Sequence, residues 1–239
     1  MIGGKKVCAI IPAAGGGTRM GASLSKVLMP LGGVPILLRT LRKFEQAGVV
    51  DDVVLALRPG DQAMVEELIG GAGIAKVRKI VPGGEERQDS VRLALSAIVR
   101  IGTGVVVVHD AARPFVEEDL IGRVVESAYS SGTAVTAVRP KDTVKLEERT
   151  GGYLRTPDRS SCWLAQTPQA FRTEILVEAM ERAVSDGFRG TDDVSLVERI
   201  GCQVVIIEGS YRNIKITTPE DIEIAEIILK REEYGHTPY

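Results

Sequence analysis

The residues best suited to chemistry lie in a glycine-rich segment near the amino terminus. Three successive glycines, at 15–17, follow a short apolar run, and two cations, Arg19 and Lys26, follow the glycines. Backbone N–H groups of small residues together with two fixed cations suit a triphosphate. Neither common phosphate loop is present, because the dinucleotide fingerprint fails at Met20 and Ala22 stands where the P-loop has its lysine. A turn without a ligand is the alternative, but such a turn gains nothing from the cations.

Charged residues also follow the most apolar run of the chain, at 104–109. Asp110 and Arg113 come just after it, and ligands of open α/β sheets bind beyond the carboxyl ends of the strands. An aspartate there commonly holds a sugar hydroxyl or a magnesium ion. His109 is predicted to be structural, since the only other histidine, His236, stands in the polar tail. A histidine-based nucleophile triad is therefore not favoured.

Three further polar segments are candidates for ligand contacts. The Gly83-Gly84 pair would let backbone approach a flat ligand, and Ser90 could hydrogen-bond it, although a helix-capping turn explains the pattern equally well. Arg159 and Thr191 both lie in polar loops. Thr191 is either a ligand contact or only the N-cap of the following helix. Lys215 stands between apolar residues, which indicates either an edge residue whose ammonium reaches water or a phosphate ligand.

The elements that must position these residues alternate between strands and helices. Apolar runs predict strands at 7–11, 53–57, 77–81, 104–109 and 133–138, and later ones near 163–167 and at 203–209. Helical spacing of apolar residues predicts helices at 35–48, 61–70, 87–99, 117–129, 172–186 and 191–200, and a last one from Thr218 onward. This alternation favours an α/β fold with a mostly parallel sheet and helices on both faces.

A polar stretch at 139–162 interrupts the alternation. Gly151-Gly152 separates two short alternating runs, which predicts a β-hairpin. A two-stranded hairpin buries little surface by itself. This arm therefore either lies on the body of the protein or reaches a partner subunit.

Composition excludes several classes of function. The 239 residues carry a net charge of −2, from 30 basic and 32 acidic side chains, so no global field attracts nucleic acid or a membrane surface. The apolar runs are too short to span a bilayer, and the amino terminus does not read as a signal peptide. Three widely spaced cysteines favour reduced thiols and a cytoplasmic protein.

Four segments, taken in order, resemble the 2-C-methyl-D-erythritol 4-phosphate cytidylyltransferase family. The family's P-A-A-G-x-G-x-R-M loop and the lysine after it are matched at 12–20 and by Lys26. Its G-G-x-x-R-x-x-S, H-D-A-A-R-P and N-[IL]-K-[VI]-T segments are matched at 83–90, 109–114 and 213–217. The chain departs from the family at Ser25 and Val27, where proline and glutamine are usual, and at Glu85, where aspartate is frequent.

The resemblance implies a single Rossmann-like nucleotidyltransferase domain over 1–239, with a β-arm at about 139–162 that forms a homodimer. It implies transfer of CMP from CTP to 2-C-methyl-D-erythritol 4-phosphate, with Mg²⁺ as cofactor and Asp110 as its candidate ligand. The CTP contacts it implies are Ala13, Ala14, Gly15, Gly17, Gly83, Gly84, Glu85, Ser90, Asp110 and Ala111. The polyol-phosphate contacts it implies are Asp110, Arg113, Thr143, Arg159, Thr191 and Lys215. The catalytic residues it implies are Arg19, Lys26, Arg159 and Lys215.

The implied reaction needs no general base. The attacking oxygen belongs to the substrate's own phosphate, whose second pKa near 6 makes it largely a dianion at neutral pH. Catalysis then consists of positioning and charge neutralisation, by Arg19 and Lys26 at the triphosphate and by Arg159 and Lys215 at the attacking phosphate. Thr143 and Arg159 stand at the two ends of the arm and serve either their own or the neighbouring subunit's site.

Other functions fit part of the pattern. The nearest is a cytidylyltransferase for another polyol phosphate, such as ribitol 5-phosphate, and a wider one is a sugar-1-phosphate nucleotidyltransferase that uses UTP or GTP. A non-catalytic nucleotide-binding regulator is the alternative of a different class. Arg19 and Lys26 argue against the regulator, because binding alone does not require two cations at the leaving group.

Overall fold

A computed structural model describes residues 1–15, 25–99, 102–147 and 154–233. Gly17, Arg19 and the predicted hairpin turn at Gly151-Gly152 lie outside these ranges. Among the helices within them, none combines the length and the apolar character that a membrane span requires.

The described residues form a central seven-stranded sheet. Its strands are β1 (Lys6–Pro12), β4 (Asp52–Leu57), β5 (Val77–Pro82), β6 (Thr103–Val108), β7 (Thr133–Val138), β10 (Leu164–Arg172) and β11 (Val205–Glu208). Their order across the sheet is β11-β7-β10-β6-β1-β4-β5. Parallel pairing joins β1 to β4 and β6, β4 to β5, and β7 to β11, whereas β10 runs antiparallel between β6 and β7. The predicted mostly parallel sheet is confirmed.

Helices cover both faces of the sheet, as predicted. They are α1 (Ile36–Gln46), α2 (Gln62–Ala72), α3 (Arg87–Val99), α4 (Glu118–Ser131), α5 (Thr173–Ser185), α6 (Asp193–Arg199) and α7 (Pro219–Glu233). Alternate residues of β1 show why the strands read as continuous apolar runs. Ile11 packs with α1, α2 and α4 in one core cluster, and Ile10 packs with α3, α5 and α6 in the other. Each strand therefore needs apolar side chains in both directions.

A third, smaller cluster fastens the carboxyl-terminal helix. The short hairpin of β2 (Pro30–Leu31) and β3 (Val34–Pro35) contributes Leu31, which packs with Ile216 and with Leu229 of α7. At the start of α7 the Asp221 carboxylate accepts hydrogen bonds from the backbone N–H groups of Thr217 and Thr218, at 2.7 and 2.8 Å. This cap ends the Lys215 segment at a defined point.

The predicted arm is present as a pair of antiparallel strands, β8 (Leu146–Glu147) and β9 (Leu154–Arg155). Leu146 and Leu154 are 41% and 64% exposed. The arm therefore does not fold back onto the sheet through these two leucines.

Most elements differ from their predicted bounds by one or two residues, and two of the differences have a clear physical cause. The strand expected near 163–167 continues to Arg172, because Gln169 and Phe171 pair with both neighbouring strands. The helix expected from Thr191 begins at Asp193, because the Asp192 carboxylate accepts the N–H of Ser195 at 2.9 Å and so caps the helix two residues later.

Candidate active site

A cleft of about 490 Å³ opens beyond the carboxyl ends of β1 and β6. It unites the segments that were predicted separately, since the strands are parallel and end at the same edge of the sheet. The wall consists of Pro12, Ala13, Ala14, Gly15, Lys26, Val27, Gly84, Glu85, Glu86, Arg87, Ser90, Asp110, Ala111, Ala112, Lys215 and Thr217.

On one side of the cleft, two chain segments approach each other through their main chains. The Ala13 N–H bonds to the carbonyl of Ala56 at 2.8 Å, and the Gly83 N–H bonds to the carbonyl of Leu57 at 2.7 Å. These bonds extend the pairing beyond the strand ends and bring Gly83 against Ala14. A Cβ added at Gly83 would lie 2.0 Å from the Cβ of Ala14, so only glycine permits this approach.

The Ser90 hydroxyl holds the same wall from behind. It accepts the Gly84 N–H at 3.1 Å and donates to the Glu86 carbonyl at 3.2 Å. Ser90 was predicted as a direct ligand contact. Its two bonds give it a second task, which is to shape the turn between Gly84 and α3.

Asp110 is the electrostatic centre of the cleft. The Arg87 Nε lies 2.9 Å from its Oδ1, and the Lys215 Nζ lies 2.8 Å from its Oδ2. The Arg113 Nε is 3.7 Å from Oδ2. Burial alone would raise the pKa of Asp110, but Arg87, Lys215 and Arg113 hold it below its usual range. Asp110 is therefore a carboxylate throughout the neutral pH range.

Arg87 connects Asp110 to a second buried carboxylate. Its Nη1 lies 2.8 Å from the Oδ2 of Asp193, the first residue of α6, whose side chain is 1% exposed. Burial raises the pKa of Asp193 and Arg87 counteracts this. Arg87 was not among the predicted residues. The sequence did hold one signal, because Arg87 is the first residue of α3 and a cation at a helix N-terminus is unfavourable unless it has a specific partner.

Thr167 is a second residue that was not predicted. Its hydroxyl accepts the backbone N–H of Asp110 at 3.0 Å, and its carbonyl accepts the Asn213 side-chain amide at 2.8 Å. Thr167 lies on β10, which pairs with β6 in the antiparallel direction. Its closeness to Asp110 depends on the register of this strand pair, which the apolar pattern of the sequence does not specify.

Arg113 lies behind Asp110 and does not line the cleft. Its Nη1 donates to the Asn213 carbonyl at 2.6 Å, and burial lowers the pKa of its guanidinium. This bond fastens the Lys215 segment to the Asp110 loop. A contact between Arg113 and the polyol phosphate stays a prediction.

His109 is buried, in agreement with its predicted structural role. Its ring packs against Phe44, with ring centroids 5.0 Å apart, and its Nε2 lies 3.0 Å from the Arg113 carbonyl. Because a carbonyl only accepts, Nε2 carries the proton. Burial lowers the pKa of His109 to about 4. The neutral ring therefore ties together the two ends of the turn that presents Asp110.

Thr143, Arg159 and Thr191 do not line this cleft. Arg159 donates from Nη1 to the Lys141 carbonyl at 3.2 Å and lines a separate surface cleft of about 760 Å³ at the base of the arm, together with Arg139 and Lys141. Thr143 is exposed on the arm. Thr191 is also exposed, but it is close in sequence to Asp193 and so lies near the Arg87 end of the site.

The surroundings of Asp110 do not suit a resident magnesium ion. Both of its carboxylate oxygens already face cations, Arg87 on Oδ1 and Lys215 on Oδ2. In the described part of the chain, no three His, Cys, Asp or Glu side chains are grouped closely enough to hold a metal ion. These residues therefore do not build a resident metal site.

A family model matches nearly the whole chain. Residues 7–231 match the model described as "IspD: 2-C-methyl-D-erythritol 4-phosphate cytidylyltransferase". The chain belongs to this family. Its members are CTP-dependent cytidylyltransferases, which form a class of nucleotidyltransferase.

Relatives of the same family match the chain over nearly its whole length. The 2-C-methyl-D-erythritol 4-phosphate cytidylyltransferase of Geobacter metallireducens is 49% identical over 230 residues, which cover 94% of this chain and 97% of the relative. The protein of the same name from Syntrophus aciditrophicus is 46% identical over 229 residues, which cover 95% and 97%.

A solved structure supports the fold. The crystal structure of 4-diphosphocytidyl-2C-methyl-D-erythritol synthase from Anaerococcus prevotii superposes with a TM-score of 0.84 at 31% identity. The superposition covers 95% of this chain and 99% of that one. The α/β nucleotidyltransferase fold implied by the resemblance is thereby confirmed.

Gly83→Ala should weaken CTP binding by roughly tenfold or more, because the new methyl group would push the Ala14 wall away. Calorimetric titration with CTP measures this. Gly70→Ala in α2 is the matched control, since nothing lies within 4 Å of its added Cβ. A Gly83→Ala protein with unchanged CTP affinity would contradict the assigned wall.

The buried neutral His109 should make stability depend on pH. Its pKa of about 4 lies below the ordinary 6.5, so between these values the unfolded chain binds a proton that the folded chain does not. Its contribution is complete above about pH 6.5 and is lost toward pH 4, by up to about 3 kcal/mol. Urea unfolding at several pH values measures the loss. His109→Gln should show a flatter profile, and an equally steep one would refute this explanation.

Proposed function

We propose that this chain transfers CMP from CTP to 2-C-methyl-D-erythritol 4-phosphate at the cleft around Asp110, giving 4-diphosphocytidyl-2-C-methyl-D-erythritol and pyrophosphate. The observation that carries the proposal is the convergence of Gly15, the Gly84 turn and Lys215 around one buried carboxylate, Asp110.

The backbone side of the cleft takes the nucleotide. Ala14 and Gly15 offer N–H groups beyond the end of β1, next to Ala13, whose own N–H is bonded to the Ala56 carbonyl. Gly83 packs closely against Ala14, and the wall of Gly84 and Glu85 lets a flat base approach the main chain. Ala111 and Asp110 face the same space. The base and ribose of CTP lie here, and the triphosphate points toward Lys26.

Lys26 neutralises the triphosphate and the leaving pyrophosphate. It lines the cleft at the start of a short 3-10 turn, Lys26–Leu28, whose following residues Val27 and Leu28 are buried. The buried neighbours fix the backbone from which the ammonium reaches into the cleft. Arg19 and Gly17 are assigned to the same end of the nucleotide, on the resemblance of their loop alone.

Lys215 steers the attacking phosphate. Its ammonium is held 2.8 Å from Asp110, and its side chain remains 39% exposed toward the cleft. A substrate phosphate oxygen that lies beside Lys215 attacks the α-phosphorus, the bond to the pyrophosphate oxygen breaks, and pyrophosphate leaves. The second pKa of a phosphate monoester, near 6, makes a general base unnecessary. Asp110 orients Lys215 and accepts a hydrogen bond from a hydroxyl of the sugar or polyol.

Magnesium is proposed to arrive as the complex of CTP. A divalent cation bound to the nucleotide would reduce the charge of the triphosphate. No step assigned to Lys26 or Lys215 depends on it, because both are cations of the chain itself.

The arm is proposed to complete the site of a second subunit. Thr143 and Arg159 lie away from the cleft of their own chain, and Arg139, Lys141 and Arg159 form a basic surface at the base of the arm. A basic surface suits the polyol phosphate, and the exposed Leu146 and Leu154 suit burial in a homodimer.

A cytoplasmic location belongs to the same proposal, since Cys8, Cys162 and Cys202 are not disulfide-bonded.

A matrix of substrates tests the reaction. CTP, UTP and GTP are each combined with 2-C-methyl-D-erythritol 4-phosphate, ribitol 5-phosphate and a sugar 1-phosphate, and pyrophosphate release is measured. The pair of CTP and 2-C-methyl-D-erythritol 4-phosphate should exceed the other pairs. Faster turnover of ribitol 5-phosphate would overturn the assigned polyol, and binding of CTP without pyrophosphate release from any pair would favour a regulator.

Lys26→Ala should lower the rate roughly 10²–10³-fold, whereas Lys230→Ala, on the exposed last turn of α7, should not.

Arg159→Ala should raise KM for the polyol phosphate and leave KM for CTP nearly unchanged, because the guanidinium is assigned to the attacking phosphate alone. Steady-state kinetics with each substrate varied in turn measures both constants. Arg155→Ala, an exposed arginine on β9 of the same arm, is the matched control. An unchanged KM for the polyol phosphate would remove Arg159 from the site.

A further inference from the structure

Three consecutive residues at the start of α3 contact one loop, Phe188 to Asp193. Arg87 pairs with Asp193 at 2.8 Å, and Asp89 pairs with Arg189 at 2.8 Å. Between them, Gln88 donates from Nε2 to the Phe188 carbonyl at 3.2 Å and accepts the Gly190 N–H on Oε1 at 3.0 Å. One amide therefore bonds to main-chain groups on both sides of Arg189.

The loop has little freedom at the point where Gln88 holds it. A Cβ added at Gly190 would lie 2.6 Å from the Ser195 hydroxyl and 2.7 Å from Leu196. The main chain is therefore pressed against α6 on one side and bonded to Gln88 on the other. Thr191 comes directly after this point, so the Gln88 amide helps to determine where Thr191 lies.

Gln88 itself stands outside the cleft. Arg87 and Ser90, on either side of it in α3, line the cleft, whereas Gln88 does not. In the first turn of α3, Arg87 and Ser90 therefore line the cleft, whereas Gln88 hydrogen-bonds to the loop that carries Thr191. Loss of the Gln88 amide would change the loop without removing any group from the nucleotide wall.

We infer that Gln88 is a positioning residue, which sets the loop carrying Thr191 against the polyol phosphate while the nucleotide wall is left to its neighbours. The inference rests on the proposed function, because it takes Thr191 to be a contact of the polyol phosphate. Its consequence is a separation of the two substrates: Gln88 acts on recognition of the polyol phosphate and not on that of CTP.

Gln88→Met tests the inference, since methionine keeps the length of the side chain and removes both hydrogen bonds. KM for 2-C-methyl-D-erythritol 4-phosphate should rise roughly tenfold, the effect expected of two lost hydrogen bonds, while KM for CTP stays within about twofold. Gln88→Glu keeps the acceptor for the Gly190 N–H and should recover part of the loss. Gln62→Met is the control, because Gln62 also lies in the first turn of a helix, but its side-chain amide donates to the exposed Glu66 of the same helix.

Hydrogen exchange gives a readout that does not depend on turnover. Peptides covering 188–191 should exchange faster in Gln88→Met than in the wild type, and peptides from β1 and β6 should not change. Equal increases of both KM values, or unchanged exchange at 188–191, would overturn the inference. A wild-type protein that releases no pyrophosphate from CTP and this polyol phosphate would instead refute the proposed function, while loop exchange would still test whether Gln88 holds the loop.

Discussion

The arrangement of the site depends on one buried carboxylate and the cations around it. Asp110 is ionised in a place where burial disfavours charge, and Arg87, Lys215 and Arg113 supply the compensation. Arg113 belongs to the same turn as Asp110, but Arg87 and Lys215 come from distant parts of the chain. Pairing the Asp110 carboxylate with these cations therefore brings those parts together. The same contacts that make the charge tolerable therefore assemble the cleft, and Lys215 is directed into it as a result.

The parallel sheet makes this assembly possible. β1 and β6 are neighbours and run in the same direction, so the glycine-rich loop and the Asp110 turn leave the sheet at one edge. The antiparallel β10 then brings Thr167 beside the Asp110 backbone. His109 and Phe44 fill the space beneath the turn with a neutral ring, which holds the turn without adding another charge near Asp110.

Much of this could be predicted from the residues. Five apolar runs lie where strands are found, within one or two residues, because strands buried on both faces need continuous apolar sequence. The turns at Gly84 and Asp110 and the Lys215 segment were predicted as ligand segments, and all of them line the cleft. Arg87 and Thr167 were not predicted. Their roles depend on partners distant in sequence, and no local pattern states which partner a polar side chain will have.

The sequence alone determined the fold class, the family and several of the segments that line the cleft, since apolar periodicity and short glycine and charge motifs are local properties of the chain. Only the tertiary structure decided which polar groups pair. It assigned Arg113 to the Asn213 carbonyl, 100 residues away, and Arg87 to two carboxylates at once. It also separated Arg159 from the cleft of its own chain. Distances between side chains follow from strand order and packing, which the linear pattern of residues does not contain.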